Sequence, residues 1–266
     1  MKTGASRLLE VQTACVNGEV EQVRACLQRL DASQQRQAID SMTLTSAEKG
    51  HADLLEYCLQ HGGNVTDRVA HLAVTSGSTE AYKVLLSAGL DVNTSFGYSG
   101  NALLVALRRN DQRMTSFLLS RGAEPNGHQL LSGCYGPLAV AAYWASLDIV
   151  RLLVTHGARI EQSLALQLAA KAGRTDVLQY LLDKGADVNE VPALGDLTYA
   201  VDYELGAAIH YAAQARQLDA VIFLLDHGAD VKLRDHCGRT VVERAKEGQE
   251  DWQELQTVLR GRGLSF

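Results

Sequence analysis

The chain contains two irregular stretches whose side chains could perform acid–base chemistry. These stretches, NGHQLLSGCYGP at 126–137 and NEVPALGDLTYAVDYELG at 189–206, combine histidine, tyrosine and carboxylates. Such groups transfer protons when they lie within hydrogen-bonding distance of a substrate. If the two stretches close over one cavity, they predict an enzyme or a small-molecule site. The acid–base candidates are His128, Tyr135, Tyr199, Asp196 and Asp202.

A second group of residues has the chemistry of molecular recognition. Arginine, tyrosine and tryptophan are the side chains most enriched at binding hot spots, because they combine large contact area with directed donors. Here they form two pairs of neighbours, Arg108 with Arg109 and Tyr143 with Trp144. An arginine guanidinium can also hold a carboxylate or a phosphate through two parallel hydrogen bonds. Whether the two pairs form one surface depends on the elements that carry them.

The charge of the chain argues against nucleic acid as a partner. The 266 residues carry a net charge of -6, and the pI is near 5.7, whereas a phosphate-backbone binder needs a strongly basic face. A nucleic-acid site would have to be concentrated around Arg108, Arg109 and Arg113. No run of apolar residues is long enough to span a bilayer. We therefore expect neither nucleic acid nor a membrane as the partner.

Cysteine usage bears on the compartment and on cofactors. The five cysteines are odd in number and scattered, which favours free thiols in a reducing compartment. The first residues lack the apolar core of a secretory signal. No pair of cysteines has the spacing of zinc ligands, and the chain has no phosphate-binding loop, dinucleotide glycine pattern or nucleophile elbow. The sequence therefore predicts a cytoplasmic or nuclear location and gives no reason to invoke a cofactor or a metal.

The elements that carry the candidate residues recur along the chain. A glycine closes each of six units, and twelve residues before it stands a residue that we call the turn residue. Apolar residues recur between the two at helical spacing, which predicts one helix of fixed length. Four residues before each turn residue, a small residue would let neighbouring helices approach closely. The closing glycines are Gly62, Gly89, Gly122, Gly157, Gly185 and Gly228, with Leu30 in this place in the first unit. The turn residues are Gly18, Gly50, Gly77, Asn110, Ala145, Gly173 and Arg216, and the small residues are Ala14, Ser46, Ala73, Ala106, Ala141, Ala169 and Ala212.

In this register the chain resembles the ankyrin repeat, whose signature is a Thr-Pro-Leu-His-x-Ala start and a Gly-Ala-Asp-Val-Asn hairpin. The matching stretches are GLDVN at 89–93, GADVN at 185–189, GADVK at 228–232 and GPLAVAA at 136–142, with His71 and His210 in the place of the family's histidine. The resemblance implies an all-α solenoid of helix-turn-helix units with short hairpin or loop fingers, forming a single domain over 1–266. The repeats lie roughly at 8–33, 40–66, 67–97, 100–130, 135–161, 162–192 and 205–234, and a C-terminal cap follows at 235–266.

The resemblance also implies that the two residues before each turn residue face outward into a groove. Arg108 with Arg109, and Tyr143 with Trp144, occupy these places in neighbouring repeats. The repeats differ in length, since successive turn residues are 32, 27, 33, 35, 28 and 43 residues apart. The longest step contains the irregular stretch at 189–206. Loops that a rigid scaffold holds in place often carry recognition residues.

These features predict an interaction scaffold that binds another protein or a peptide in the groove and finger loops of repeats 4–7. The alternative is a non-canonical enzyme or a small-molecule-binding protein whose site is formed by the loops at 126–137 and 189–206. The chain has no recognised catalytic motif, which favours the scaffold. The predicted binding residues are Arg108, Arg109, Tyr143, Trp144, Tyr135, Tyr199, Tyr203, His128, Asp196 and Asp202.

The register predicts structural roles for other residues. His61, His156 and His227 each precede a closing glycine, where ankyrin sequences commonly carry histidine. Cys26 and Cys58 take the places of leucines in the Leu-Leu pairs, which predicts that both thiols are buried. Burial between adjacent helix pairs is expected for Leu119, Leu182 and Leu225.

Overall fold

The computed structural model describes residues 4–127, 135–193, 205–246 and 253–264. Within these residues the regular structure consists of sixteen α-helices and one 3-10 turn at Gly97–Ser99. The only β structure in the same ranges is an isolated antiparallel bridge between Ser95 and Asn101. The predicted all-α fold is therefore confirmed. None of the helices described is long and apolar enough to cross a membrane.

The helices come in pairs, and each pair has a first and a second helix. The first helices are α1 (Gly4–Asn17), α3 (Ala32–Lys49), α5 (Asp67–Ser76), α7 (Ala102–Arg108), α9 (Pro137–Trp144), α11 (Ala165–Lys171), α13 (Ala208–Gln214) and α15 (Val241–Lys246). The second helices are α2 (Val20–Leu27), α4 (Ala52–Gln60), α6 (Thr79–Ser87), α8 (Gln112–Ser120), α10 (Leu147–Thr155), α12 (Thr175–Asp183), α14 (Leu218–Asp226) and α16 (Gln253–Gly261).

Contacts between helices divide the chain into two units. The N-terminal unit comprises residues 1–106 and 111–123, and the C-terminal unit comprises residues 107–110 and 124–266. In the N-terminal unit, first helices pack in the order α1, α3, α5, and second helices in the order α2, α4, α6, α8. In the C-terminal unit the corresponding orders are α9, α11, α13, α15 and α10, α12, α14, α16. Each unit thus contains two rows of helices.

The small residue of each repeat is buried. All seven small residues are at most 1% exposed, and six of them are alanines. Any larger side chain there would force neighbouring helices apart or strain the packing. The predicted role of this position is confirmed.

The turn residue usually has a left-handed backbone. Four turn glycines have φ between 71° and 76°, and Asn110 and Arg216 have φ values of 53° and 57°. Only glycine and, less often, asparagine adopt this conformation readily. Ala145 differs, because its backbone is extended with φ -100° and ψ 165°. The repeat that carries Trp144 therefore turns differently from the other six.

The leucine pairs are buried in a different register from the one predicted. The first leucine of each pair faces the core, because Leu118, Leu181 and Leu224 are all 0% exposed. Leu119 is buried as predicted. The prediction was wrong for Leu182 and Leu225, which are only half-buried. Adjacent helical residues point about 100° apart, so the second member of a pair lies towards the edge of the apolar stripe, where its burial differs between repeats.

Asparagine side chains fasten neighbouring hairpins of the C-terminal unit. The Asn126 side chain donates to the Gly157 carbonyl at 2.8 Å and accepts from the Arg159 amide at 2.8 Å. Asn189 repeats this arrangement with Gly228 at 3.1 Å and Asp230 at 2.8 Å. Each side chain thus provides a hydrogen-bond partner for one backbone carbonyl and one backbone amide of the next hairpin. Without it, these two backbone groups would bond to water. These bonds fix the hairpins from which the irregular loops extend.

A buried carboxylate lies where the last hairpin meets α15. The Asp235 side chain is fully buried and accepts hydrogen bonds from the backbone amides of Cys237 and Arg239, both at 2.9 Å. Its second oxygen lies 2.8 Å from the Arg239 guanidinium and 3.5 Å from that of Arg244. The Arg244 guanidinium also lies over the Tyr211 ring, 4.6 Å from its centroid. Asp235 thus connects the hairpin to α15.

Trp252, Leu255 and Leu259 follow one another at three- and four-residue steps, which predicts one apolar stripe in the cap. Leu255 and Leu259 on α16 are at most 1% exposed. Trp252, the third member of the predicted stripe, lies outside the described residues. An amphipathic last helix covers the apolar edge of the array in this way.

Candidate binding surface of the C-terminal unit

The two candidate pairs of residues lie on turns that a hydrogen bond joins. Arg108 and Arg109 precede the turn residue Asn110, and Tyr143 and Trp144 precede Ala145. The Ser146 amide donates to the Asn110 side-chain oxygen at 2.7 Å. This bond holds the end of α7 beside the end of α9. The turns that follow the two candidate pairs are therefore adjacent.

A second contact holds the Trp144 turn from the following repeat. The Arg174 guanidinium donates to the Ala145 carbonyl and is itself held by the Asp176 carboxylate at 3.0 Å. The extended backbone of Ala145 leaves its carbonyl outside the helical hydrogen-bond pattern, so Arg174 supplies the donor. Residues on both sides thus fix the turn.

Trp144 presents a large apolar ring to solvent. It is 62% exposed, and its ring meets the Tyr143 ring edge-on with a centroid distance of 4.8 Å. Only Leu9 and Val16 among the other described large apolar residues are comparably exposed. Because aromatic rings bring large area at low conformational cost, an exposed ring on a fixed turn is suited to recognition.

Tyr143, which contacts the Trp144 ring, shares an apolar environment with Tyr135. Both tyrosines are half-buried and pack against an apolar cluster. The buried members of this cluster are Ala139, Leu164, Leu168 and Leu205. A ligand can therefore contact only the outer part of each tyrosine ring, and the rest stabilises the unit. Of these three aromatic residues, Trp144 is the most exposed, so it offers a ligand the largest contact area.

Cationic side chains accompany the aromatic residues. Arg108 and Arg109 are exposed at the end of α7. Lys171 is half-exposed in the next repeat and holds the position relative to its turn residue that Tyr143 holds in its own. We call Arg108, Arg109, Tyr143, Trp144 and Lys171 the basic–aromatic surface. Its charge is opposite to the net charge of the chain.

Of the predicted acid–base residues of the irregular loops, the structure describes only Tyr135, which is half-buried. His128, Tyr199, Tyr203, Asp196 and Asp202 all lie outside the described ranges. The grouping of these residues around a substrate remains a prediction. Within the described ranges, no three His, Cys, Asp or Glu residues are grouped as metal ligands would be.

The histidines predicted to be structural bind backbone carbonyls. Nδ1 of His61, His156 and His227 lies 2.8 Å from the carbonyl oxygen four residues earlier in each case. Each histidine thereby satisfies a carbonyl at the end of a second helix. The repeated geometry confirms a structural role.

The buried thiols are also structural. Cys26 and Cys58 are buried as predicted, and Cys15 lies in the same apolar cluster. Burial raises the pKa of the Cys15 thiol to about 11 and that of Cys58 to about 12. Because the thiolate is the reactive form, both side chains are inert at neutral pH.

Comparison with known proteins decides the family. The family model for ankyrin repeats matches the chain three times, at residues 44–129, 103–192 and 164–235. The chain belongs to the ankyrin repeat family. Ankyrin repeats are generally modules of protein–protein interaction. The resemblance predicted from the hairpins is thereby confirmed.

Individual relatives are similar over part of their length. An ankyrin repeat protein of Acanthamoeba polyphaga mimivirus is 28% identical over 156 residues, which make up 58% of this chain and 31% of that protein. The Homo sapiens transient receptor potential cation channel subfamily A member 1 is 27% identical over 167 residues, or 55% of this chain and 15% of the channel. The chain thus spans less than a third of the length of either relative.

A solved ankyrin repeat structure shows the same fold. The human ASB11 ankyrin repeat domain superposes with a TM-score of 0.62 at 21% identity, over 82% of this chain and 96% of that domain. The likeness supports the paired helical arrangement. It does not bear on what this ankyrin repeat protein binds.

Sequence reasoning missed the residues that position the surface. Asn110 and Arg174 hold the Trp144 turn, yet neither was identified as a site residue. Asn110 carried a signal, because it replaces glycine at a turn position and has a side chain that can bond across the turn. Arg174 carried none, since its partner is a backbone carbonyl that only the fold brings near.

Proposed function

We propose that this ankyrin repeat protein is a scaffold that binds a peptide segment of a partner protein on the basic–aromatic surface. The observation that carries the proposal is the exposed Trp144 ring on a turn that Asn110 and Arg174 fix from two sides. A fixed anchor loses little conformational entropy on binding, so more of its contact energy contributes to affinity.

The charge of the surface indicates the chemistry of the peptide. Arg108 and Arg109 lie in the repeat before the aromatic pair and Lys171 in the repeat after it. Guanidinium groups bind carboxylates and phosphates through directed hydrogen bonds. A suitable peptide has an apolar or aromatic residue that covers Trp144, with an acidic or phosphorylated residue nearby. The buried thiols are compatible with a scaffold working in a reducing compartment, the cytosol or the nucleus.

A peptide array tests the proposal. Short synthetic peptides carrying one aromatic residue and, a few residues away, phosphoserine, glutamate or glutamine are measured against the purified protein. We expect the phosphoserine and glutamate peptides to bind and the glutamine peptides to bind more weakly. Equal binding of all three series would remove the arginines from the proposed site.

Replacing Trp144 with alanine is expected to weaken the selected peptide by about 2 kcal/mol or more, roughly 30-fold, because the anchor ring is lost. Isothermal titration calorimetry gives the affinity, and thermal unfolding shows whether the fold is kept. Leu9→Ala is the matched control, since Leu9 is 64% exposed in the N-terminal unit. Unchanged affinity, or loss of the folded state, would assign Trp144 to another role.

Replacing Asn110 with glycine tests whether the turn is pre-positioned. Glycine keeps the left-handed backbone but removes the oxygen that accepts from Ser146. We expect affinity to fall by about 1 kcal/mol, roughly fivefold, with stability changed by no more than about 1 kcal/mol. Asn110→Asp keeps the acceptor and should retain affinity. If both variants bind like the wild-type protein, the hydrogen bond does not position the surface.

A further inference from the structure

The second helices of both units carry a recurring pair of residues, an aromatic residue and a second residue whose side chain lies over the aromatic ring. We call the second one the covering residue. The aromatic residue stands five places before the closing glycine, and the covering residue immediately precedes that glycine. His61 stacks on Tyr57 at 4.0 Å and His227 on Phe223 at 4.1 Å. Cations cover the other two rings, with Arg121 over Phe117 at 5.1 Å and Lys184 over Tyr180 at 5.7 Å.

An arginine from the preceding second helix adds to this arrangement in two repeats. Arg24 lies 5.1 Å from the Tyr57 ring centroid, and Arg151 lies 5.7 Å from that of Tyr180. Both arginines stand six places before the closing position of their own repeat. A guanidinium over an aromatic ring fills the space between neighbouring second helices and stabilises their contact.

The ring is absent from three of the seven repeats, where Ala25, Val84 and Leu152 take its place. Of these, only Val84 follows a repeat with an acidic residue at the arginine position, so the arrangement is interrupted most completely between α4 and α6 of the N-terminal unit. Val84 stands where neighbouring repeats have an aromatic ring, and Ala88 stands in the place of its covering residue. Glu56 occupies the position of Arg24 and Arg151. The interruption therefore removes the ring and reverses the charge of the residue that would lie over it.

A groove occupies the space that these side chains leave. It is open to solvent and has a volume of about 560 Å³, with Leu59, Val84 and Ala88 among its apolar lining residues. Asp53, Glu56 and Glu80 supply three carboxylates along the same groove, whereas Lys83, its one cationic lining residue, lies 3.4 Å from Glu80. The groove thus combines apolar lining residues with an excess of exposed carboxylates.

We propose that this α4–α6 groove binds an arginine side chain of a partner protein. The aliphatic stem would lie on Leu59, Val84 and Ala88, and the guanidinium would meet the Asp53 and Glu56 carboxylates. Arginine suits the site better than lysine, because its planar donors match carboxylates in pairs and its stem packs on apolar surface. The partner's guanidinium would lie between two second helices, as those of Arg24 and Arg151 do within the chain. The proposal is independent of the basic–aromatic surface, whose charge is opposite.

A designed peptide provides the probe. An alanine-based helical peptide with arginines four residues apart is titrated into ¹⁵N-labelled protein, beside a peptide of the same length with glutamines in place of the arginines. We expect amide shifts confined to α4 and α6 with the arginine peptide and none with the glutamine peptide. Absence of shifts at about 1 mM peptide, or shifts elsewhere, would overturn the proposal.

Rebuilding the interrupted arrangement gives the decisive variant. Glu56→Arg combined with Val84→Tyr places the chain's own arginine and ring in the groove. We expect peptide affinity to fall about tenfold or more, because the carboxylate is lost and the space is filled, while the melting temperature is maintained or raised. Glu48→Arg makes the same charge change at an exposed position of α3 and should bind far better than the double variant. If the double variant and Glu48→Arg weaken peptide binding equally, the peptide responds only to the net charge of the protein. That result would refute a site specific to the groove.

Discussion

Replacing Asp235 with alanine is expected to lower the free energy of unfolding of the C-terminal unit by about 3 kcal/mol or more. The side chain is fully buried and accepts from two backbone amides and from Arg239. Arg244, which is 2% exposed, lies 3.5 Å from the same carboxylate. Removing one member of a buried charged group leaves its partners desolvated without the compensating charge, which costs more than losing a surface ion pair.

The asparagine variant separates charge from hydrogen bonding. Asp235→Asn keeps an oxygen for the Cys237 and Arg239 amides, so we expect a smaller loss than with alanine. Burial acts to raise the pKa of Asp235, but the hydrogen bonds from Arg239 and the two guanidinium groups outweigh it and leave the pKa below its ordinary value. A lowered pKa stabilises the fold above the ordinary value of 3.8 and loses this effect as the pH falls through the lowered pKa. Urea unfolding at neutral and acidic pH measures the difference in the free energy of unfolding between the wild-type protein and Asp235→Asn. We expect this difference to become smaller in acid. A difference that does not change with pH would contradict a role for the charge.

Truncating Leu181 to alanine should destabilise the C-terminal unit by about 2 to 5 kcal/mol, because a fully buried leucine leaves a cavity. Leu182→Ala is the matched control, since it makes the same chemical change one residue away at a half-buried position. We expect its cost to be less than half as large. Chemical denaturation followed by circular dichroism measures both. Equal losses would mean that the leucine pair is shared between two contacts.

The period of the chain made most of the fold predictable. A constant distance between the turn residue and the closing glycine requires a helix of constant length, and a small residue at one repeated place requires close helix packing. Both inferences depend on recurrence along the sequence, so they survive the divergence of single repeats. The leucine register was less accessible, because both members of a pair are apolar and composition cannot show which of them faces the neighbouring helix.

The candidate site was predictable only in part. The register placed Arg108 and Trp144 on outward turns, and both are exposed. The extended backbone of Ala145 and the bond from Ser146 to Asn110 depend on how neighbouring repeats meet, which no local pattern encodes. The residues that form the α4–α6 groove are different, because they can be found in the sequence. Once the structure has shown the cation–aromatic pairs, the aligned repeats show where these pairs are replaced.

The exposure of Trp144 has an optical consequence. The chain has two tryptophans, Trp144 and Trp252, so in a Trp252→Phe background its indole fluorescence comes from Trp144 alone. A ring that is 62% exposed is surrounded largely by water, whose dipoles relax around the excited indole and shift its emission to longer wavelengths. A ligand that covers the ring replaces that water, so the emission moves to shorter wavelengths. The proposed anchor residue can thereby report its own occupancy without any attached label.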